Sequence, residues 1–133
     1  MCAEAFSGLI SRAENNGRGL GVKCGRRGPL VSHMFFADDS ILFSSASSAC
    51  SISIREILSV YATGSGQQIN FQKSKVTFSE NVVACVKEDI FNLLGIEESI
   101  VPDKYLGLPT MVGKNKRKLF DDIMERVWKK LRG

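Results

Sequence analysis

Two adjacent aspartates, Asp38 and Asp39, separate two short apolar runs in the chain. The runs, Leu30–Ala37 and Ser40–Ser44, contain aromatic and β-branched residues, and their lengths are typical of two strands joined by a tight turn. The pattern therefore predicts a β-hairpin with both carboxylates at its tip, between strands that look buried. Adjacent carboxylates repel each other and hard oxygen ligands suit Mg²⁺, so the pair is a candidate cation site. Asp is also common in turns, so a structural role is the alternative.

Apolar periodicity predicts helices on both sides of this hairpin. The predicted helices span 3–15, 47–63, 82–94 and 116–132, and the other extended segments span 20–24, 69–78 and 105–110. Ser47 or Ser48 is expected to cap the second helix. The inward residues of the third helix are expected to be Val83, Val86, Ile90, Leu93 and Leu94. The apolar parity changes within 69–78, which predicts a turn or bulge near 72–75. This order predicts an α+β fold with a mostly antiparallel sheet.

Composition excludes several classes of protein. The 133 residues are 44% hydrophobic and 24% charged, as in ordinary globular proteins, and no apolar run approaches the ~20 residues of a membrane span. The N-terminus lacks the features of a signal peptide, so we expect an intracellular, non-secreted protein of the nucleus or cytoplasm, with no membrane partner.

The four cysteines lack metal-ligand spacing and His33 is the only histidine, which excludes a structural zinc site. A Ser-His or Cys-His hydrolase would depend on His33, which lies in an apolar stretch.

Positive charge is concentrated at the C-terminus. The net charge is +4, and residues 114–133 carry eight basic and three acidic residues, which leaves −1 for residues 1–113. This asymmetry favours an anionic partner for the C-terminal segment.

Several segments resemble one protein family, in the order expected for it. Residues 32–43 (SHMFFADDSILF) resemble the catalytic hairpin of reverse transcriptases, most closely those of plant non-LTR (LINE-type) retrotransposons. The other segments resemble the helix after the template-contacting Ser-Pro motif (residues 2–10), the Asn-x-x-Lys-Ser motif (65–74, SGQQINFQKS), the primer grip (104–109, KYLGLP) and the start of the thumb (119–133). Several motifs in register are more specific than any one of them.

The resemblance implies roles for individual residues. Asp38 and Asp39 would bind two Mg²⁺ ions, or Mn²⁺, for nucleotidyl transfer to a primer 3′-hydroxyl, with Asp38 the firmer ligand and Asp39 auxiliary. Lys73 would lie near the phosphates of the incoming nucleotide as a proton donor, with Lys75 as a rival. The residues that would hold the primer end are Tyr105, Leu106 and Gly107. Those that would contact template–primer phosphates are Lys114, Lys116, Arg117 and Lys118. An ordinary edge strand and a solvated basic face are the alternatives for these two sets.

The resemblance also implies what lies outside this chain. It covers a partial polymerase palm (1–110) and the start of the thumb, a basic amphipathic helix (111–133). The third metal-binding carboxylate and the fingers would lie upstream, since only Glu4 and Glu14 precede Asp38 and both fall in a predicted helix. We therefore expect a fragment of an RNA-directed DNA polymerase of a retroelement that is inactive alone. The partners would be an RNA template, a DNA primer, deoxynucleotides and the missing polymerase segments.

Two other hypotheses come from different classes. The chain could be a non-catalytic nucleic-acid-binding remnant that uses its basic C-terminal helix, in which case neutralising residues 114–118 weakens binding and Asp38→Ala does not. It could also be an interaction domain in which another chain replaces the missing segments. An exposed apolar face where the absent strands should pack would favour that hypothesis, or aggregation.

Overall fold

The computed structural model describes residues 3–96, 104–105, 108–109 and 116–132. The chain divides into two compact units, Met1–Glu98 and Ser99–Gly133, and each unit is described by itself. The first contains three helices and two small antiparallel sheets, and the second contains a short antiparallel pair and a helix. The described residues thus form a mixed α/β structure with antiparallel strands only. The functional division at residue 110 stays a prediction.

Three helices frame the first unit. They are α1 (Ala3–Asn15), α2 (Ser48–Ser65) and α3 (Ala84–Leu94). Ser47 caps α2, because its side chain accepts a hydrogen bond from the backbone N–H of Cys50. Gly66 ends α2 in the left-handed conformation, with φ of 69°. Ser47 is one of the two predicted capping residues, and α2 continues two residues past its predicted end at residue 63.

Four short strands lie between α1 and α2. They are β1 (Val22–Lys23), β2 (Leu30–Val31), β3 (His33–Phe36) and β4 (Asp39–Leu42). β1 pairs with β2, and β3 pairs with β4, both antiparallel. Leu20 also forms an antiparallel bridge with Ser44, so the segment after α1 contacts the chain that follows β4.

The core of the first unit lies between α1, α2 and these strands. Phe6, Ile10 and Ala13 form the buried stripe of α1, as the helical period predicts. The other buried members of the cluster are Leu20, Ile57 and Tyr61, and the partly buried residues packed on it are Leu9, Phe35, Leu42, Ile54 and Leu58. One face of the hairpin β3–β4 therefore rests on α1 and α2.

Two predictions about the segment after α2 differ from the structure. No strand is described between residues 69 and 78, because a turn at 71–73 interrupts the extended segment, close to the point where the apolar parity changes. α3 begins at Ala84, and Val83 precedes it as an N-cap that is 60% exposed instead of facing inward. Ile90 is the buried residue of α3, in agreement with its predicted position.

The second unit contains β5 (Lys104–Tyr105), β6 (Leu108–Pro109) and α4 (Lys116–Arg132). β5 and β6 pair antiparallel, and Tyr105 lies opposite Leu108. The helix matches the predicted span of 116–132. Its described apolar side chains, Met124, Val127, Trp128 and Leu131, are exposed. None of the described helices combines the length and the apolar composition that crossing a bilayer requires.

Candidate functional site

A two-residue turn joins β3 and β4. The last ladder pair is Phe36 with Asp39, so the central residues are Ala37 and Asp38. The turn therefore lies one residue earlier than the sequence predicted, and Asp39 is the first residue of β4 instead of part of the tip. Ala37 has φ of 49°, a value that L-residues adopt at a cost, whereas Asp38 has negative φ. Positive φ at the first central position alone is characteristic of a type II′ hairpin turn. We call residues 37–39 the acidic turn.

The two faces of the β3–β4 hairpin differ. Directly opposed residues share a face, so Asp39 lies beside Phe36 and Ile41 lies beside Met34. Met34 is 49% exposed and Phe36 is 56% exposed. The expectation that the strands flanking the aspartates are buried is therefore wrong for this face. An exposed apolar surface runs from the turn along the hairpin.

The opposite face holds the hairpin in place. Phe35 stacks on Phe6 of α1, with ring centroids 5.3 Å apart, and Phe6 in turn contacts Tyr61 of α2 at 4.6 Å. His33 is 4.8 Å from the ring of Phe35. The acidic turn is thus the free end of a hairpin whose other face is packed on two helices.

His33 joins the hairpin to α1 by hydrogen bonds. Its Nε2 lies 2.9 Å from the Ser7 hydroxyl, and its Nδ1 lies 2.8 Å from the Ser32 hydroxyl. A serine hydroxyl donates or accepts, so both contacts are satisfied by either neutral tautomer of the ring. No Asp or Glu of the described residues is hydrogen-bonded to His33, so the carboxylate of a Ser-His-Asp triad is not found beside it there. The arrangement is that of a half-buried structural histidine.

Both carboxylates of the acidic turn are open to solvent. Asp38 and Asp39 are exposed, and neither forms an ion pair or side-chain hydrogen bond with another described residue. Within the described residues no group of three or more His, Cys, Asp or Glu side chains is placed to hold a metal ion. The pair fits Mg²⁺ only in part: Mg²⁺ is commonly bound by one or two carboxylates together with substrate phosphates and water. Which aspartate binds more firmly stays a prediction.

The Asn-x-x-Lys-Ser segment forms one isolated helical turn. The Asn70 side-chain oxygen accepts a hydrogen bond from the backbone N–H of Lys73 at 3.1 Å. The backbone N–H and the hydroxyl of Ser74 both donate to the Asn70 carbonyl, at 3.0 and 2.9 Å. This explains the spacing, because Asn at the start and Ser at the end close the same turn. Lys73 is exposed, and within the described part of the chain no hydrogen bond or ion pair joins it to the acidic turn.

The remaining predicted site residues lie in the second unit. Tyr105 is in β5, whereas Leu106, Gly107 and Lys114 lie outside the described residues. The backbone of α4 includes Lys116, Arg117 and Lys118 in its first turn. Their roles at a primer end or on template phosphates stay predictions.

Comparison with known proteins gives one partial similarity. The chain is 40% identical over 40 residues to the uncharacterized mitochondrial protein AtMg01250 of Arabidopsis thaliana. The match covers 30% of this chain and 33% of that protein, so it spans about a third of the relative's length. No family model matches the chain, and no solved structure matches it.

Proposed function

We propose that this chain is a fragment of an RNA-directed DNA polymerase of a retroelement, and that its acidic turn is the metal-binding hairpin. The observation that carries the proposal is the acidic turn itself. Two adjacent carboxylates are presented to solvent, without a side-chain partner among the described residues, at the end of a hairpin fixed to α1 and α2. Uncompensated like charges in this position favour a divalent cation as the missing partner.

The chemistry that fits this arrangement is nucleotidyl transfer. The 3′-oxygen of a primer attacks the α-phosphorus of a deoxynucleotide, a new P–O bond forms, and pyrophosphate leaves. Bound Mg²⁺ would favour deprotonation of the 3′-hydroxyl and balance the charge on the departing pyrophosphate. Asp38 and Asp39 would contribute oxygen ligands on one side, while Lys73 would neutralise phosphate charge.

The isolated chain is expected to be inactive. A site with only two carboxylates would hold metal ions in poorly defined positions. Positioning and charge stabilisation supply most of the rate enhancement in phosphoryl transfer, so such a site would be a poor catalyst. In the proposed polymerase, sequence upstream of Met1 would supply the third metal-binding carboxylate and the nucleotide-binding segment. RNA-templated primer extension by this chain alone, abolished by Asp38→Ala, would overturn this expectation.

The deciding experiment is to read the transcript upstream of Met1. If the proposal is correct, the reading frame continues into an apolar strand that carries an aspartate, followed by a Ser-Pro segment. Stop codons directly before Met1 in every transcript would instead make the acidic turn a relic.

A second candidate function is nucleic-acid binding without catalysis. It is favoured by the last turn of α4, where Lys129, Lys130 and Arg132 are exposed. Binding through these residues would be steeply salt-dependent and insensitive to Asp38→Ala. Electrophoretic mobility shifts with Lys129→Gln/Lys130→Gln would test it, and unchanged binding would exclude that surface.

A further inference from the structure

A second charged turn lies in the first unit. The net charge of residues 1–113 does not reveal it, because acidic residues elsewhere in that range cancel its positive charge. Residues 23–28 (KCGRRG) are called the basic turn below; they comprise Lys23, the last residue of β1, and the first five residues of the loop to β2, which include Arg26 and Arg27. All three side chains are exposed. No acidic residue occurs between Glu14 and Asp38, so no carboxylate next to it in sequence neutralises this turn.

The three cations have no partner in the described part of the chain. The ion pair found there joins Arg18 to Glu56, and none of the three cations takes part in it. Three unpaired positive charges within five residues raise the local potential and attract a polyanion. Arginine adds planar guanidinium donors, which match two phosphate oxygens at once.

The backbone of the basic turn is tightly constrained. Cys24 donates a backbone hydrogen bond to the Pro29 carbonyl at 3.1 Å, and Gly25 donates to the Lys23 carbonyl at 3.0 Å. Gly25 has φ of 86°, which favours glycine. A Cβ atom at Gly28 would lie 1.7 Å from the Cys24 carbonyl oxygen, so the close crossing requires glycine there. The turn therefore holds Arg26 and Arg27 at a compact tip, which lowers the ordering cost of binding.

The basic turn and the acidic turn lie at opposite ends of one extended segment. β2 and β3 follow each other from residue 30 to residue 36, with the basic turn before them and the acidic turn after them. Seven residues of extended chain span at most about 24 Å. Phosphates of one strand follow each other about every 3.4 Å along the axis of a duplex, so this path corresponds to roughly seven base pairs along that axis.

We propose that the basic turn is a phosphate-binding site for the backbone of a nucleic-acid duplex. The choice of a nucleic acid as the polyanion rests on the proposed function, since a template–primer duplex at the acidic turn would extend far enough to reach the basic turn. Lys23, Arg26 and Arg27 would bind phosphate oxygens without reading sequence.

The test is binding of the full chain to an RNA–DNA hybrid of about 20 base pairs, measured against salt concentration from about 50 mM upward. We expect Arg26→Gln/Arg27→Gln to weaken binding roughly tenfold at low salt. The salt slope, which is the slope of the logarithm of the binding constant against the logarithm of the salt concentration, should become shallower by about two. Arg26→Lys/Arg27→Lys should restore most of the slope, since the charges remain. Circular dichroism should match the unsubstituted chain, because both side chains are exposed.

The comparison variant is Lys129→Gln/Lys130→Gln in α4, the binding surface of the second candidate function, which removes the same amount of charge. An equal loss in both double variants would mean net charge alone governs binding, and loss only in the α4 variant would move the site to α4; either result overturns the proposal. Absence of hybrid binding by the unsubstituted chain would also overturn the proposal. So would an Arg26→Gln/Arg27→Gln variant that keeps its binding to the hybrid and loses only binding to vesicles with about 30% anionic lipid.

Failure of this proposal is distinguishable from failure of the proposed function. If the upstream reading frame carries the missing aspartate but Arg26→Gln/Arg27→Gln binds normally, only the basic-turn proposal is wrong. If stop codons precede Met1 while the variant loses binding, the basic turn stands and the polymerase proposal falls.

Discussion

The acidic turn and the basic turn terminate the same run of extended chain, yet they are built differently. The acidic turn has only two central residues, Ala37 and Asp38, and its geometry places Ala37 at positive φ. The basic turn is longer and uses glycine where its backbone requires it, at Gly25 and Gly28. One turn therefore accepts backbone strain and the other avoids it. Strain that persists in a short turn is typical of sites where side-chain placement matters for function.

The turns also differ in their support. The acidic turn follows β3, whose Phe35 stacks on Phe6 of α1. The basic turn follows β1 and precedes β2, where Val22 and Leu30 are both exposed. The acidic turn is therefore anchored by the core, whereas the basic turn depends on its own backbone geometry.

The largest expected effect separates these two kinds of support. Phe6→Ala should lower the free energy of unfolding by about 3–5 kcal/mol, because it removes a buried ring that contacts Phe35 and Tyr61. The matched control is Phe36→Ala, an exposed ring at the acidic turn, which should change stability by less than about 1 kcal/mol. Urea unfolding of both variants measures the difference, and equal effects would show that the hairpin is not anchored through Phe6.

Gly28→Ala should break the basic turn while sparing the acidic turn. The added Cβ would lie 1.7 Å from a backbone oxygen, so the loop must open, at a cost on the order of 2 kcal/mol. Gly64→Ala is the control, because nothing lies within 4 Å of its Cβ position in α2; it should be neutral or stabilising by up to about 1 kcal/mol. Thermal melts test both, and a neutral Gly28→Ala would contradict the described loop.

Divalent cations should distinguish the turns by charge. We expect Mn²⁺ to broaden the amide signals of residues 37–40 in NMR spectra and to leave those of residues 24–28 sharp. Asp38→Asn should weaken the binding about tenfold, equivalent to about 1.4 kcal/mol. Glu80→Gln, an exposed acid elsewhere in the first unit, is the control. Uniform weak broadening across all acidic residues would argue against a site at the acidic turn.

Ala37→Gly should have the smallest effect and sharpen the argument about strain. Relief of positive φ at Ala37 outweighs the entropy that glycine adds to the unfolded chain, so we expect a gain of about 0.5 kcal/mol. Chemical denaturation followed by far-ultraviolet circular dichroism measures this change in the free energy of unfolding. A clear loss of stability would mean that the alanine methyl group is packed rather than strained.

Local sequence signals predicted much of the first unit. Apolar periodicity predicted α1 over residues 3–15, and Ser47 was one of the two predicted caps of α2. These features depend on neighbours a few residues away, which a single sequence displays directly. The lengths and composition of the two apolar runs around Asp38 and Asp39 likewise predicted a hairpin.

Features set by exact geometry or by local charge were missed. The turn lies at Ala37 and Asp38 because of the register of the β3–β4 ladder. The sequence pattern does not determine that register to within one residue. Val83 is exposed because α3 begins after it, and helix boundaries are poorly specified by periodicity. Lys23, Arg26 and Arg27 were missed because the charge was summed over 113 residues; a window free of acidic residues from 15 to 37 was the available signal.

The most direct test of the polymerase proposal is RNA-templated primer extension by the protein encoded when the reading frame is extended upstream of Met1. The acidic-turn account predicts extension by this protein and a loss of about a thousandfold or more in Asp38→Asn, with Glu80→Gln unaffected. Extension that survives Asp38→Asn undiminished would contradict the account, because the acidic turn would then take no part in the chemistry.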